Sequence, residues 1–346
     1  MLDDLKYIHQ RDGQDALGVA EKQWQQLQHS FQLSAFSFQP DDITNVVYAG
    51  MGGSALPAQL IYAWAGLKLP LIICRNYDVP DFVDQNTLFI AASYSGNTEE
   101  ELAALAAAEN RGAKIAVMAS GGKLAELAVQ KQYPLAKLPA GYQPRYTAFF
   151  GLRALCTILA KTGLIDEQKV MTELDAAANF LGQAVAKWRP DVPTAQNPTK
   201  QTAQELAGKS VVVYAGPKMS AAAYKWKISL NENAKNVAWW NQIPEFNHNE
   251  MIGWSSHPVD KPYAVVELRS NLENPRVMKR FEISEKLLSG QRPAPHIINV
   301  EGDSVLKQLV WAVAYGDFTS IYLALLNGVN PTPVELIDKF KFELNK

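Results

Sequence analysis

Two short loops carry the residues best suited to chemistry. The first, Gly50-Met51-Gly52-Gly53-Ser54-Ala55, follows the strand-like run Val46–Ala49. The second, Ser93-Tyr94-Ser95-Gly96-Asn97-Thr98, follows the run Thr87–Ala92 and leads into Glu99-Glu100-Glu101 at the start of a helix. Ser93, Ser95 and Thr98 put three hydroxyls beside a helix N-terminus, where free N–H groups and the macrodipole attract anions. Hydroxyls add hydrogen bonds there without adding charge. Ser54 starts the first loop's helix and is expected to face the same crevice beyond the strand ends, where open α/β sheets bind ligands. Capping is the commonest use of Ser and Thr at such positions, and Thr98 with Glu101 makes a capping box. Two such loops aimed at one crevice point instead to a phosphate-sized ligand. Gly50-x-Gly52-x-x-Ala55 also fits a dinucleotide fingerprint, with Arg75 placed for a cofactor 2′-phosphate, so an NADP-dependent reductase is a rival. The hydroxyl-rich second loop disfavours it.

Four ionisable residues stand out beyond the loops. Glu232, flanked by Asn231 and Asn233, is a carboxylate suited to act as a base, although most glutamates simply face water on a helix. Arg145 follows Pro144 where a helix opens; its permanent charge suits an oxyanion and equally a packing salt bridge. His248 lies in Asn247-His248-Asn249, a polar cluster between Phe246 and Met251. The other histidines, His9, His29, His257 and His296, read as structural or solvated. Lys341 sits at the edge of a terminal-helix face, Ile337, Phe340 and Leu344, expected to be buried; snorkelling is the ordinary fate of such a lysine. Trp239-Trp240, beside the Glu232 segment, suits a buried interface or an ordinary core. No His/Cys/Asp/Glu cluster has ligand spacing, so no metal is implied.

The 346 residues suffice for two domains, and 47% apolar content supplies two cores. With 33 basic against 35 acidic side chains there is no excess for a nucleic-acid surface. Unbroken apolar runs such as Leu102–Ala108 are too short to span a bilayer, and the acidic N-terminus is unlike a secretory signal. Two cysteines in apolar surroundings, Cys74 and Cys156, suggest a reducing, cytoplasmic setting. Val46-Val47-Tyr48-Ala49-Gly50 recurs as Val212-Val213-Tyr214-Ala215-Gly216, and at the same offset Ser54 meets Ser220, as an internal duplication would give.

Strand-like and helical runs alternate in both halves. Strands are expected at 45–49, 71–75, 87–93, 114–118 and 134–138, then at 210–214, 263–269 and 296–300. That pattern predicts an α/β fold of two doubly wound parallel sheets with N- and C-terminal helices. The expected divisions are an N-terminal helical segment at 1–40, a first domain at 41–163, a helix and proline-rich linker at 164–200, and a second domain at 201–346.

Gly50–Ala55, Ser93–Thr98 and Gly121-Gly122 resemble the sugar isomerase (SIS) domain, which is flavodoxin-like. Asn231-Glu232-Asn233-Ala234-Lys235, Pro244–Asn249, Pro144-Arg145 and Ile337-x-x-Phe340-Lys341-x-x-Leu344 are similar to the bifunctional phosphoglucose/phosphomannose isomerase family. The resemblance spans about 46–344. It implies a duplicated SIS fold, a homodimer, no cofactor, and isomerisation of glucose, fructose and mannose 6-phosphates through a cis-enediol(ate). It also implies that Gly53, Ser54, Ser93, Ser95 and Thr98 bind substrate, chiefly its phosphate. By the same resemblance Arg145 stabilises the enediolate, Glu232 is the base and Lys341 a second acid/base group. His248 would open the sugar ring, reaching the partner subunit's site. Where some members carry Thr seven residues before the terminal lysine, this chain has Val334, with Thr332 nearby, which bears on the mannose activity. A non-catalytic sugar-phosphate regulator of the SIS type is the alternative.

Overall fold

The structure, a computed structural model, describes residues 1–33, 42–256 and 261–344. His257 and residues 34–40 of the expected N-terminal segment lie outside them. The chain forms two compact units, one of residues 22–182 with 305–307, the other of 1–21, 183–304 and 308–346. Two short helices, α1 (Leu5–Arg11) and α2 (Ala16–Lys22), precede the first strand.

The unit of residues 22–182 holds five parallel strands, β1 (Asn45–Ala49), β2 (Leu71–Cys74), β3 (Thr87–Ala92), β4 (Lys114–Ala119) and β5 (Leu135–Lys137), in the order β2-β1-β3-β4-β5. The crossovers are α3 (Leu56–Trp64), α4 (Glu99–Asn110) and α5 (Gly122–Gln130). Every residue of β3 is buried, as befits a central parallel strand covered on both faces. Its core gathers Val47, Phe89, Leu105, Ile115, Val117 and Leu124. The expected helix from Pro144 begins as a 3-10 turn, Pro144–Tyr146, before α6 (Ala148–Lys161). Both cysteines are buried and free.

The division between the units falls inside α7 (Glu167–Val185), not in the proline-rich stretch read as a linker. That stretch is packed. Asn197 caps α8 (Pro198–Leu206), with Pro198 at its first turn, and the fully buried Lys200 binds Asp3 Oδ1 at 3.1 Å and the carbonyls of Pro190 and Val192.

The other unit repeats the winding with four parallel strands. They are β6 (Ser210–Ala215), β7 (Ala238–Gln242), β8 (Tyr263–Arg269) and β9 (His296–Asn299), ordered β7-β6-β8-β9. The helices are α9 (Ser220–Glu232), the single turn α10 (Glu250–Gly253), α11 (Pro275–Leu287), α12 (Val305–Leu326) and α13 (Glu335–Leu344). β6 occupies the place of β1 and β7 that of β2, so the recurrent pentapeptide marks equivalent central strands. α12 is long and apolar enough to cross a bilayer, but 94% of its apolar window is buried, the mark of a core helix. Tyr7 and Arg11 of α1 bind the carbonyls of Leu325 and Gly328, so the N-terminus packs on the end of α12.

Candidate active site

In the unit of residues 22–182, the two small-residue loops are joined. Tyr48 donates its hydroxyl to Ser54 O at 2.7 Å, and Ser54 Oγ accepts from Tyr94 N at 3.2 Å. Ser93 Oγ lies 2.7 Å from Thr98 Oγ1 and 3.4 Å from Ser95 Oγ, so the three hydroxyls converge. Thr98 is the N-cap of α4 yet makes no side-chain capping bond, which corrects the capping-box expectation: its hydroxyl turns to Ser93. Gly121-Gly122 supports this loop from behind. A Cβ on Gly96 would stand 1.8 Å from Gly121 O, and one on Gly122 2.4 Å from Ser95 O.

Arg145 is buried, with its guanidinium 4.9 Å from the Tyr146 ring centroid. Its turn packs on the first loop, since a Cβ on Gly53 would meet Pro144 C and O at 3.0 Å and Arg145 N at 3.1 Å. Gly53, Ser54, Ser93, Ser95, Thr98 and Arg145 are thus gathered by one unit.

Glu101 is legible in the sequence only as part of a capping box, but it lies behind these loops and is 2% exposed. Burial raises its carboxyl to about 7 from the usual 4.5, partly offset by the Met51 N–H and the Thr98 hydroxyl; Oε2 accepts no hydrogen bond from the described residues. A carboxyl raised on folding destabilises the fold increasingly as pH rises through the interval between its two values. Glu101→Gln is therefore expected to be the more stable protein above pH 7, by up to about 3 kcal/mol. The difference opens between about pH 4.5 and 7. Thermal melts across that range test this, and a pH-independent difference would count against it.

In the other unit, α9 presents Glu232 as its last residue, half-buried on the wall of a cavity of ≈ 940 Å³. Lys227, Lys235, Trp239, Val334 and Ile337 line the same cavity. The inner face of α9 is polar at a spacing of four. Lys225 binds Asp317 and Ser229, Ser229 Oγ donates to Asp317 Oδ1 at 2.6 Å, and Asn233 Nδ2 donates to Ser320 Oγ at 2.9 Å. All five side chains are fully buried between α9 and its end on one side and α12 on the other, so a paired network fixes the helix that carries Glu232. The flanking asparagines are therefore structural supports. Asn231 Oδ1 accepts from Ala238 N at 2.9 Å.

His248 ends a 3-10 turn, Glu245–His248, and is exposed on a separate cavity of ≈ 460 Å³ with Asn247, Asn249, Ile252 and Leu287. Asn247 Nδ2 donates to Ser284 Oγ at 2.7 Å and Asn249 Nδ2 to Glu245 Oε1 at 2.5 Å, so the asparagines hold the turn. The fold of one chain thus sets Glu232 and His248 on different cavities. Of the other histidines, His29 stacks edge-on against Phe31 and Phe150, and His296 Nε2 lies 3.0 Å from Thr202 Oγ1. Burial lowers the imidazole pKa of both.

Lys341 lies on α13, which has no buried residue. Ile337, Phe340 and Leu344 are 42%, 66% and 52% exposed, so the expectation that one face is buried is not met within the chain.

In the turn after β6 a carboxylate fills the space beside the backbone N–H groups. Glu273 Oε1 accepts from Lys218 N at 2.7 Å and fills the space beside Gly216, where a Cβ would meet it at 2.5 Å. The N–H groups of Met219 and Asn274 also support this carboxylate. An internal carboxylate therefore occupies in one unit the place that a hydroxyl cluster faces in the other.

A family profile, the bacterial phospho-glucose isomerase C-terminal SIS domain, matches residues 195–344. A bifunctional phosphoglucose/phosphomannose isomerase of Caldicellulosiruptor bescii is 32% identical over 327 residues, covering 92% of this chain and 96% of that protein. A D-glucosamine-6-phosphate 4-epimerase of Sulfolobus acidocaldarius is 35% identical over 215 residues, 61% of this chain and 64% of that one. A solved glucose-6-phosphate isomerase-like protein of Thermus thermophilus shares the fold, with a TM-score of 0.66, 17% identity and 98% coverage of both chains. Similarity at this level over nearly the whole length establishes that the chain belongs to the bifunctional phosphoglucose/phosphomannose isomerase family.

Proposed function

We propose that this chain interconverts glucose 6-phosphate and fructose 6-phosphate, and mannose 6-phosphate with them, through a cis-enediol(ate). The observation that carries this reading is Glu232, fixed on a cavity wall by a buried polar network, in a chain similar to such isomerases over nearly its whole length. Glu232 takes the proton from C2 of the open-chain aldose and returns it to C1, one carboxylate sufficing for both transfers. Electrons of the C2–H bond pass into the enediol double bond, and charge gathers on the former carbonyl oxygen. Arg145 offsets that charge, and the Ser54, Ser93, Ser95 and Thr98 hydroxyls with Gly53 hold the phosphate. His248 moves a proton from O1 to O5 to open the ring, and Lys341 exchanges the hydroxyl proton.

The protein acts in the cytoplasm as a homodimer in this reading. Support comes from the separate cavities of Glu232 and His248, which leave each carboxylate to be matched with an imidazole from a second copy, and from the exposed apolar side chains of α13.

Incubation of fructose 6-phosphate in heavy water, followed by NMR, tests the reaction. Deuterium at C2 of both glucose 6-phosphate and mannose 6-phosphate is expected, and their ratio measures what Val334 does. Binding without exchange would make the protein a sugar-phosphate regulator. Glucosamine 6-phosphate run in parallel reports any preference for the amino sugar.

A further inference from the structure

We propose that Lys235 is a positioning residue for Glu232, clamping the end of α9 to the segment Asn330–Pro331. The proposal rests on the reading of Glu232 as the base. Lys235 Nζ donates to Glu232 O at 2.9 Å, Asn233 O at 3.3 Å, Asn330 O at 2.8 Å and Pro331 O at 3.1 Å. One ammonium group, with three protons, thus sits among four carbonyl oxygens from two segments. Both segments line the Glu232 cavity: Asn231, Glu232 and Lys235 on one side, Asn330 and Val334 on the other. Other bonds hold the same turn, including Asn327 Nδ2 to Ala234 O at 3.0 Å, but Lys235 carries the side chain that reaches from it to Asn330 and Pro331.

The backbone supplies a second observation. Lys235 adopts φ +51°, and Asn236 N bonds Leu230 O at 3.1 Å, closing the helix end in the manner that favours glycine. A lysine there works against the local backbone preference, and a turn alone gives no reason for it. The side chain does. By neutralising carbonyl dipoles at the helix C-terminus and tying them to the opposite wall, it sets where the carboxylate stands relative to C1 and C2. Displacement of a catalytic group by about 1 Å can cost on the order of 100-fold in rate.

The test compares Lys235→Gly, Lys235→Arg and Glu232→Gln in the full chain. Glycine suits the backbone, so Lys235→Gly is expected to keep its Tm or raise it, while kcat falls at least about tenfold and KM stays within about twofold. Lys235→Arg, which can still reach the carbonyls, is expected to recover part of kcat. Wild-type kcat in Lys235→Gly overturns the proposal, because the lysine is then only a surface cap. A rise in KM with kcat unchanged overturns it too, assigning Lys235 to substrate binding, and so does a Lys235→Gly protein that fails to fold. If Glu232→Gln is fully active, the base reading itself fails, whatever the Lys235 variants do.

Discussion

Replacing Glu232 by glutamine is expected to remove isomerisation and leave sugar-phosphate binding in place. The amide has nearly the shape of the carboxylate but no basic oxygen able to accept a carbon-bound proton at neutral pH. General-base contributions are typically about 10²–10⁴-fold, so kcat should fall by about 10³. The surrounding structure has supports besides the Glu232 carboxylate. Glu232 contributes its backbone carbonyl to Lys235, while the helix is held by Lys225, Ser229 and Asn233 against Asp317 and Ser320. Fructose 6-phosphate titrated calorimetrically should therefore bind within about threefold of wild type, since an interaction made only in the transition state affects rate and not ground-state affinity. The variant should also incorporate no deuterium at C1 or C2. Glu232→Asp separates position from chemistry: it keeps a base but withdraws it by one methylene, and intermediate turnover is expected. Normal turnover by the glutamine variant would show that the proton is taken elsewhere.

How much of this is legible in the sequence follows from where the forces lie. β1, β3, β4 and β6 each carry an unbroken apolar run after their first residue because parallel strands are covered on both faces, and such runs are visible in one dimension. β7 is not. Ala238-Trp239-Trp240-Asn241-Gln242 has neither a β-branched run nor alternation, and it is a strand because β6 offers it an edge. The Trp pair, expected to act together in an interface or a core, instead divides: Trp239 is 48% exposed on the Glu232 cavity and Trp240 packs edge-on to Tyr224. α8 is hidden among prolines, although Asn197-Pro198 is a good helix start, a cap followed by a residue with φ already set. In the site, the loops are legible because their chemistry is local. Glu273 filling the turn after β6, Glu101 buried behind the hydroxyl-rich loop, and Lys235 reaching Asn330 are not, because each acts across a long stretch of sequence or through its depth in the fold.

Gly96→Ala is expected to cripple phosphate binding, where Gly52→Ala only weakens it. Both glycines have positive φ, +70° and +48°, so alanine at either costs about 1 kcal/mol of backbone strain. Their surroundings differ. Gly52 has nothing within 4 Å of an added Cβ, whereas at Gly96 that atom would lie 1.8 Å from Gly121 O and 2.8 Å from Gly121 C. Those are backbone atoms with no rotamer to move, so the loop must lift from the Gly121-Gly122 turn. Lifting breaks the bond of Leu124 N to Gly96 O at 2.9 Å and draws Gly96 N from Ser93 Oγ, now 3.1 Å away. Ser93 then loses its register with Thr98 and Ser95, and the hydroxyls no longer converge. Loss of two or three charge-assisted hydrogen bonds to a phosphate amounts to about 3 kcal/mol, or roughly 100-fold in KM. Gly52→Ala should raise KM less than about tenfold, its strain being the main cost. Steady-state kinetics with fructose 6-phosphate, alongside competition by inorganic phosphate, measures both effects. A wild-type KM in Gly96→Ala would mean that the substrate phosphate is held somewhere other than the Ser93–Thr98 loop.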